Sequence, residues 1–162
     1  MMTFELNRRQ VILAGAAMLL AQPSLAQQVH TVEMLNKDPD DKKRRMIFRP
    51  LVQVLEAGDT VRFASVDKGH NTESLKGMLP EGAEKWKSKL SKDFDLTLTV
   101  PGFYGYKCTP HTAMGMTGLL IVKGEGMMNN YEAVRGVKHK SRMQKVWDQI
   151  WAQVEADGLL NT

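Results

Sequence analysis

The sequence predicts an all-β sandwich or small barrel followed by two C-terminal helices. Three observations carry that expectation. Short runs rich in β-branched and aromatic residues recur between Val29 and Gly124, most of them bounded by Gly, Pro or Asp turns. From Asn129 onward this pattern stops, and apolar residues return at helical spacing instead. The 162 residues suffice for one domain with a core and not comfortably for two.

The first segment stands outside that domain. Arg8 and Arg9 precede the apolar run "VILAGAAMLLA" (Val11 to Ala21), which is too short to span a bilayer. Ser24 and Ala26 then stand at the −3 and −1 positions of a cleavage site, so residues 1–26 read as a signal peptide. The arginine pair in "NRRQVIL" also fits a twin-arginine export signal. Without this segment, 20 basic and 17 acidic residues remain. The balance is mildly basic, and no arginine stripe with interleaved aromatics points to nucleic acid. The expected product is a soluble protein of an oxidising compartment, with residues 27–126 forming the β domain and 127–162 a helical extension.

Within the β domain, "VHTVEML" (Val29 to Leu35) alternates roughly as a first strand. "VQVLEAGDTVRFASV" (Val52 to Val66) is two strands around the turn "EAGD". The charged run "DPDDKKRR" (Asp38 to Arg45) reads as a solvated loop. "PEGAEKWKSKL" (Pro80 to Leu90) reads as loop with a turn of helix. "FDLTLTV" (Phe94 to Val100) is ended by Pro101-Gly102, and "GFYGYKC" and "TGLLIVKG" complete the strands. In the tail, Asn129 or Asn130 caps a short helix closed by Gly136. Ser141 caps a second, in which Met143, Val146, Trp147, Ile150, Trp151 and Val154 share one face. That stripe is expected to pack against the sandwich.

The chemistry lies in "CTPHTAMGM". Cys108 is the single cysteine, so in an oxidising compartment it must be buried, paired with another chain or bound to a metal. His111 follows in C-x2-H spacing, which lets a tight loop turn both side chains onto one ion. Zinc would call for further close ligands, usually cysteine, and covalent haem for C-x-x-C-H; neither is present. One thiolate, imidazoles and a thioether suit copper, held by two histidines and a cysteine in a plane with a weak axial methionine. Of the four histidines, His30 and His139 read as surface or packing residues. His70, in "VDKGHNTES", lies at a strand end where a loop-and-strand site can be built. Counting forward from His111 leaves Met114 and Met116 both open.

The segments "VDKGHNTES", "MLPEGAEKWKSK" and "KCTPHTAMGM" resemble those of pseudoazurins, within the cupredoxin family of type 1 blue copper proteins. The opening "VEMLNK", the "PGxYxYKC" approach to the cysteine and the two terminal helices extend the likeness over the mature chain. The resemblance implies a Greek-key β-sandwich and one copper ion on His70, Cys108, His111 and a methionine. In these loops the axial methionine stands in M-x-G ahead of the last strand, which selects Met116 and leaves Met114 lining the site. Backbone N–H groups onto the Cys108 sulfur, one of them from Asn71, would tune the potential, while Pro110 stiffens the loop. Met46 corresponds to a family position near His111. Two departures stand out: Thr112 replaces a frequent aromatic residue, and "DPDDKKRRM" is longer and more charged.

Four protein ligands leave no open position for substrate, so the expectation is an electron carrier and not an enzyme. His111 would present its ring edge as the electron port. Lys37, Lys68, Lys87 and Lys107 would form a basic rim that steers acidic partners to a monomer. The family implies nitrite reductase or another periplasmic reductase of denitrification as acceptor, and a c-type cytochrome as donor. The alternative is a copper-delivery protein on the same fold.

Overall fold

The computed structural model describes residues 27–161, so the expected signal peptide lies outside the described residues. Eight strands form two four-stranded sheets. They are β1 (Val29–Lys37), β2 (Arg45–Arg49), β3 (Val52–Glu56), β4 (Thr60–Ala64), β5 (Glu73–Ser74), β6 (Phe94–Thr97), β7 (Gly102–Lys107) and β8 (Thr117–Lys123). One sheet has the order β2-β1-β4-β6 and the other β3-β8-β7-β5. β1 runs parallel to β4 and β3 parallel to β8, and the remaining pairs are antiparallel. Two helices follow, α1 (Tyr131–Gly136) and α2 (Ser141–Ala156).

Alternation along the strands builds two cores, because successive side chains leave opposite faces of a sheet. Tyr104 and Tyr106 of β7, with Leu120 and Val122 of β8, point between the sheets, where they meet Val32, Met34, Phe48, Val61 and Phe63. The intervening Phe103, Leu119 and Ile121 point outward into a second core with Trp147, Ile150, Trp151 and Val154 of α2. The second sheet is therefore covered on both faces, which accounts for the unbroken apolar run of β8. The tryptophan stripe packs on the sandwich as expected. A 16-residue helix is marginal on propensity alone, so this buried face is what holds it.

Several local expectations change. β2 and β5 are strands that the sequence pattern did not reveal. The Asp38–Arg45 segment is not simply solvated: Asp38 is buried and Arg45 opens β2. The Pro80–Leu90 excursion forms no turn of helix. Its backbone is spent on bonds to β5 and its approach, with Ser74 N–H donating to Trp86 O at 3.1 Å and Ser88 N–H to Thr72 O at 2.8 Å. Trp86 is thereby carried into the inner core, and its Nε1 donates to Thr72 Oγ1 at 3.1 Å. Ser141 does not cap α2; Lys140 stands at the cap, and Gln144 Oε1 accepts the His139 N–H at 2.8 Å instead. Asn130 stands at the cap position of α1, but its side chain is engaged elsewhere. Its amide accepts from Phe103 N–H at 3.0 Å and donates to Phe103 O at 2.8 Å, which pins the tail to β7.

Candidate metal centre

Three loops converge at one end of the sandwich. β7 delivers Cys108, the connection to β8 delivers His111, and the segment between β4 and β5 delivers His70. These three residues alone, among the described residues, form a cluster of histidine, cysteine or carboxylate side chains able to hold a metal. His70 and Cys108 are fully buried, and His111 is half-buried. Both histidines turn Nδ1 inward, 3.1 Å from each other, and the Cys108 sulfur lies 3.5 Å from His111 Nδ1 and 3.8 Å from His70 Nδ1. The point equidistant from these atoms, the circumcentre of that triangle, is about 2.0 Å from each. Metal–imidazole bonds of about 2.0–2.1 Å match that radius, and a metal–thiolate bond of about 2.3 Å is a few tenths of an ångström longer. The donor set and its spacing therefore fit a copper ion.

The surroundings fix each donor. Asn36 Oδ1, at the end of β1, accepts from His70 Nε2–H at 3.0 Å. That bond leaves the Nδ1 lone pair facing the sulfur. Asn71 Oδ1 accepts the Thr109 N–H at 2.8 Å, and its Nδ2 donates to Thr109 Oγ1 at 3.1 Å, tying the His70 loop to the Cys108 loop. Thr109 Oγ1 in turn donates to Glu73 Oε2 at 2.5 Å. That hydroxyl, aided by the Lys107 and Lys87 charges, lowers the Glu73 carboxyl below its ordinary range. Thr112 Oγ1 donates to the carbonyls of Cys108 at 2.9 Å and Thr109 at 3.0 Å, so this hydroxyl serves to close the loop.

Burial raises the Cys108 thiol, while backbone N–H groups of Asn71 and His111 oppose it. Burial is also the main cause that lowers His70, with the neighbouring His111 charge adding to it. Both directions disfavour free charge here, so a thiolate at this position calls for a cation beside it.

The two methionines part company. Met116 is 1% exposed and shares the inner core with Cys108, whose N–H donates to Met116 O at 2.9 Å. Met114 lies 37% exposed in the 3-10 turn Thr112–Met114. Gly115, at φ 84°, lets this loop rest on α2; a Cβ there would stand 3.1 Å from Arg142 O and from Val146 Cγ2. Met46 is half-buried against the inner core and lines a recess with Met114 and Gly115. Pro110 is exposed within the loop, between Cys108 and His111.

Lys37, Lys68 and Lys87 are exposed and Lys107 half-buried; Lys87 pairs with Glu73 at 3.4 Å, and the others flank Asn36, His70 and Cys108 in the chain. His30 and His139 lie apart from the cluster: His30 bonds Asp59 Oδ2 at 3.0 Å, and His139 stacks on Trp147 at 5.1 Å. Asn36, Thr109 and Glu73 escaped the sequence reading. Asn36 lies within "VEMLNK", but nothing in that string tells that β1 carries it to His70.

Residues 33–123 match the family model described as copper binding proteins, plastocyanin/azurin family. A pseudoazurin from Paracoccus pantotrophus is 42% identical over 141 residues, 87% of this chain and 93% of the relative. Another from Methylorubrum extorquens is 35% identical over 90% of this chain and 97% of its own. Among solved structures, a pseudoazurin from Sinorhizobium superposes with a TM-score of 0.74 at 42% identity, covering 80% of this chain and 98% of that one.

Proposed function

The chain belongs to the plastocyanin/azurin family of copper-binding proteins, and from that premise we propose that it shuttles single electrons in the periplasm through one type 1 copper held by His70, Cys108, His111 and Met116. It is a blue copper electron-transfer protein and not an enzyme. The observation that carries the ligand assignment is the triangle of inward-facing Nδ1, Nδ1 and Sγ atoms, with buried Met116 in the same core. Bound there, copper would supply a one-electron couple between Cu(I) and Cu(II).

The protein's part is to hold the donors still and dry. Asn36 orients His70, Asn71 and Thr112 brace the cysteine loop, and the N–H groups of Asn71 and His111 support charge on the sulfur. A donor set that is already in place has little to rearrange when an electron arrives or leaves. Pro110 stiffens the loop, Met46 supports the His111 side, and the half-buried His111 serves as the port. Lys37, Lys68, Lys87 and Lys107 form a basic docking rim for a weak, reversible encounter. The acceptor is a denitrification reductase such as copper nitrite reductase, the donor a c-type cytochrome, and the carrier works as a monomer. The arginine-led apolar start of the sequence supports export, with residues 27–126 as the copper-binding domain and 127–162 as its helical extension.

Loading the mature protein with Cu(II) should give intense thiolate-to-copper colour that bleaches and returns over repeated one-electron cycles. Cys108→Ser should abolish it. Colour that survives this substitution, or binding of colourless Cu(I) alone, would overturn the assignment.

A further inference from the structure

Beside the proposed centre lies a recess of about 370 Å³ between the Asp38–Arg45 loop and α2, with Met114 and Gly115 of the ligand loop among its lining residues. Met46, Leu51 and Val146 give it an apolar lining, and Lys43, Arg45, Arg142 and Lys145 surround it with positive charge. No carboxylate lines it. The loop's own acids are spent internally. Asp38 accepts the Asp40 N–H at 2.9 Å and pairs with Arg44 at 2.9 Å. Asp40 pairs with Arg49 at 2.7 Å, and Asp41 accepts the Lys43 N–H at 3.0 Å. Among the described residues, Lys43, Arg45, Arg142 and Lys145 take part in no ion pair.

The charged run is thus sorted by its own fold: acids fold the loop, and cations are left around an apolar trough. Four like charges there repel one another, and an anionic occupant with apolar character would relieve them while covering the methionines. The cations come from two separate elements, which suits an extended segment better than a point anion. The recess also adjoins the exposed Met114 on the loop that carries His111.

We propose that this groove receives an acidic segment bearing an apolar side chain from the electron-accepting partner, and so forms a second anchor beside the lysine rim. The proposal rests on the electron-carrier reading above. It assigns Lys43, Arg45, Arg142 and Lys145 to encounter and orientation, and Met46 with Val146 to seating the apolar side chain.

The test uses the copper-loaded protein with a copper nitrite reductase, the acceptor class proposed above. Arg142→Glu and Lys145→Glu should each slow bimolecular transfer at low salt by at least about fivefold and flatten its salt dependence. Lys123→Glu, the same charge change outside the groove, should stay within about twofold. In the 15N-labelled Cu(I) protein, titration with that reductase should shift the amides of residues 43–46 and 142–146 together with those around His111. If only the surroundings of His111 shift, and Lys107→Glu slows transfer while both groove variants match wild type, the groove proposal falls and the carrier reading stands. If sodium octanoate reproduces the groove shifts and the reductase produces none, the site is one for a small amphiphilic anion and the proposal again falls.

Discussion

Two methionines stand two positions apart on one loop, and their surroundings give them different chemistry. Met116 is sealed in the core that holds the Cys108 sulfur, whereas Met114 faces solvent on the 3-10 turn. A thioether on the axis of a copper site donates weakly, and that donation favours Cu(II) over Cu(I). Met116→Leu keeps the volume and removes the proposed donor, so the reduction potential should rise and the visible spectrum should change. Met114→Leu should leave both in place. Voltammetry and absorption spectra of the two loaded variants check this, and the reverse pattern would move the axial role to Met114. At this scale the sequence was informative because donor chemistry is carried by residue type: a lone thiolate, nearby imidazoles and a thioether leave few metals to choose from. What it could not convey was support from a distance. Asn36 bonds His70 from 34 positions away, and Glu73 bonds Thr109 from 36. Such partners are set by strand topology, which no local pattern encodes.

The β7–β8 pair places the loop that carries Cys108 and His111, and its register explains why a glycine stands two residues after Met116. Tyr106 and Gly118 stand opposite one another across the two strands. A Cβ on Gly118 would run into the Tyr106 phenol ring, so the aromatic side chain occupies the space that glycine leaves. Tyr106 has little freedom to withdraw, being fully buried with Phe48 at 4.7 Å and Phe63 at 5.1 Å between ring centroids. Gly118→Ala should therefore destabilise the protein by about 1–3 kcal/mol, the usual result of overpacking a filled core. The midpoint of denaturant unfolding measures it, and Tyr106→Leu on the same background should recover part of the loss. An unchanged midpoint in Gly118→Ala would show that the ring shifts freely. Strands with period-two alternation, and the helix with its tryptophan stripe, were readable because one periodic signal ran their length. β2 was hidden because its short apolar centre follows a run of basic residues, and β5 because two residues carry no period at all.

Across the whole molecule, the proposed centre is braced by contacts that owe nothing to a metal. The two sheets share an inner core, the helices cover the outer face of one sheet, and Asn130 ties that helical tail back to β7. At the site itself, Asn36, Asn71 and Thr112 hold the three donor loops through protein–protein hydrogen bonds. A fold assembled this way should form without copper, unlike small metal-nucleated domains. The metal should instead add stability by mass action, through its preference for the folded donor set over the unfolded chain. Removing copper should leave the far-UV circular dichroism and the tryptophan environment near those of the loaded protein. The thermal midpoint should fall, and adding copper back should raise it with the logarithm of free copper, by about 4 kcal/mol of stability at a thousand times the dissociation constant. Scanning calorimetry of the metal-free and reloaded protein tests both halves. A metal-free chain without cooperative unfolding would mean that the donor loops are organised by copper and not by the asparagine and threonine bonds described above. A midpoint indifferent to copper would remove the triangle of His70, Cys108 and His111 as its binding site.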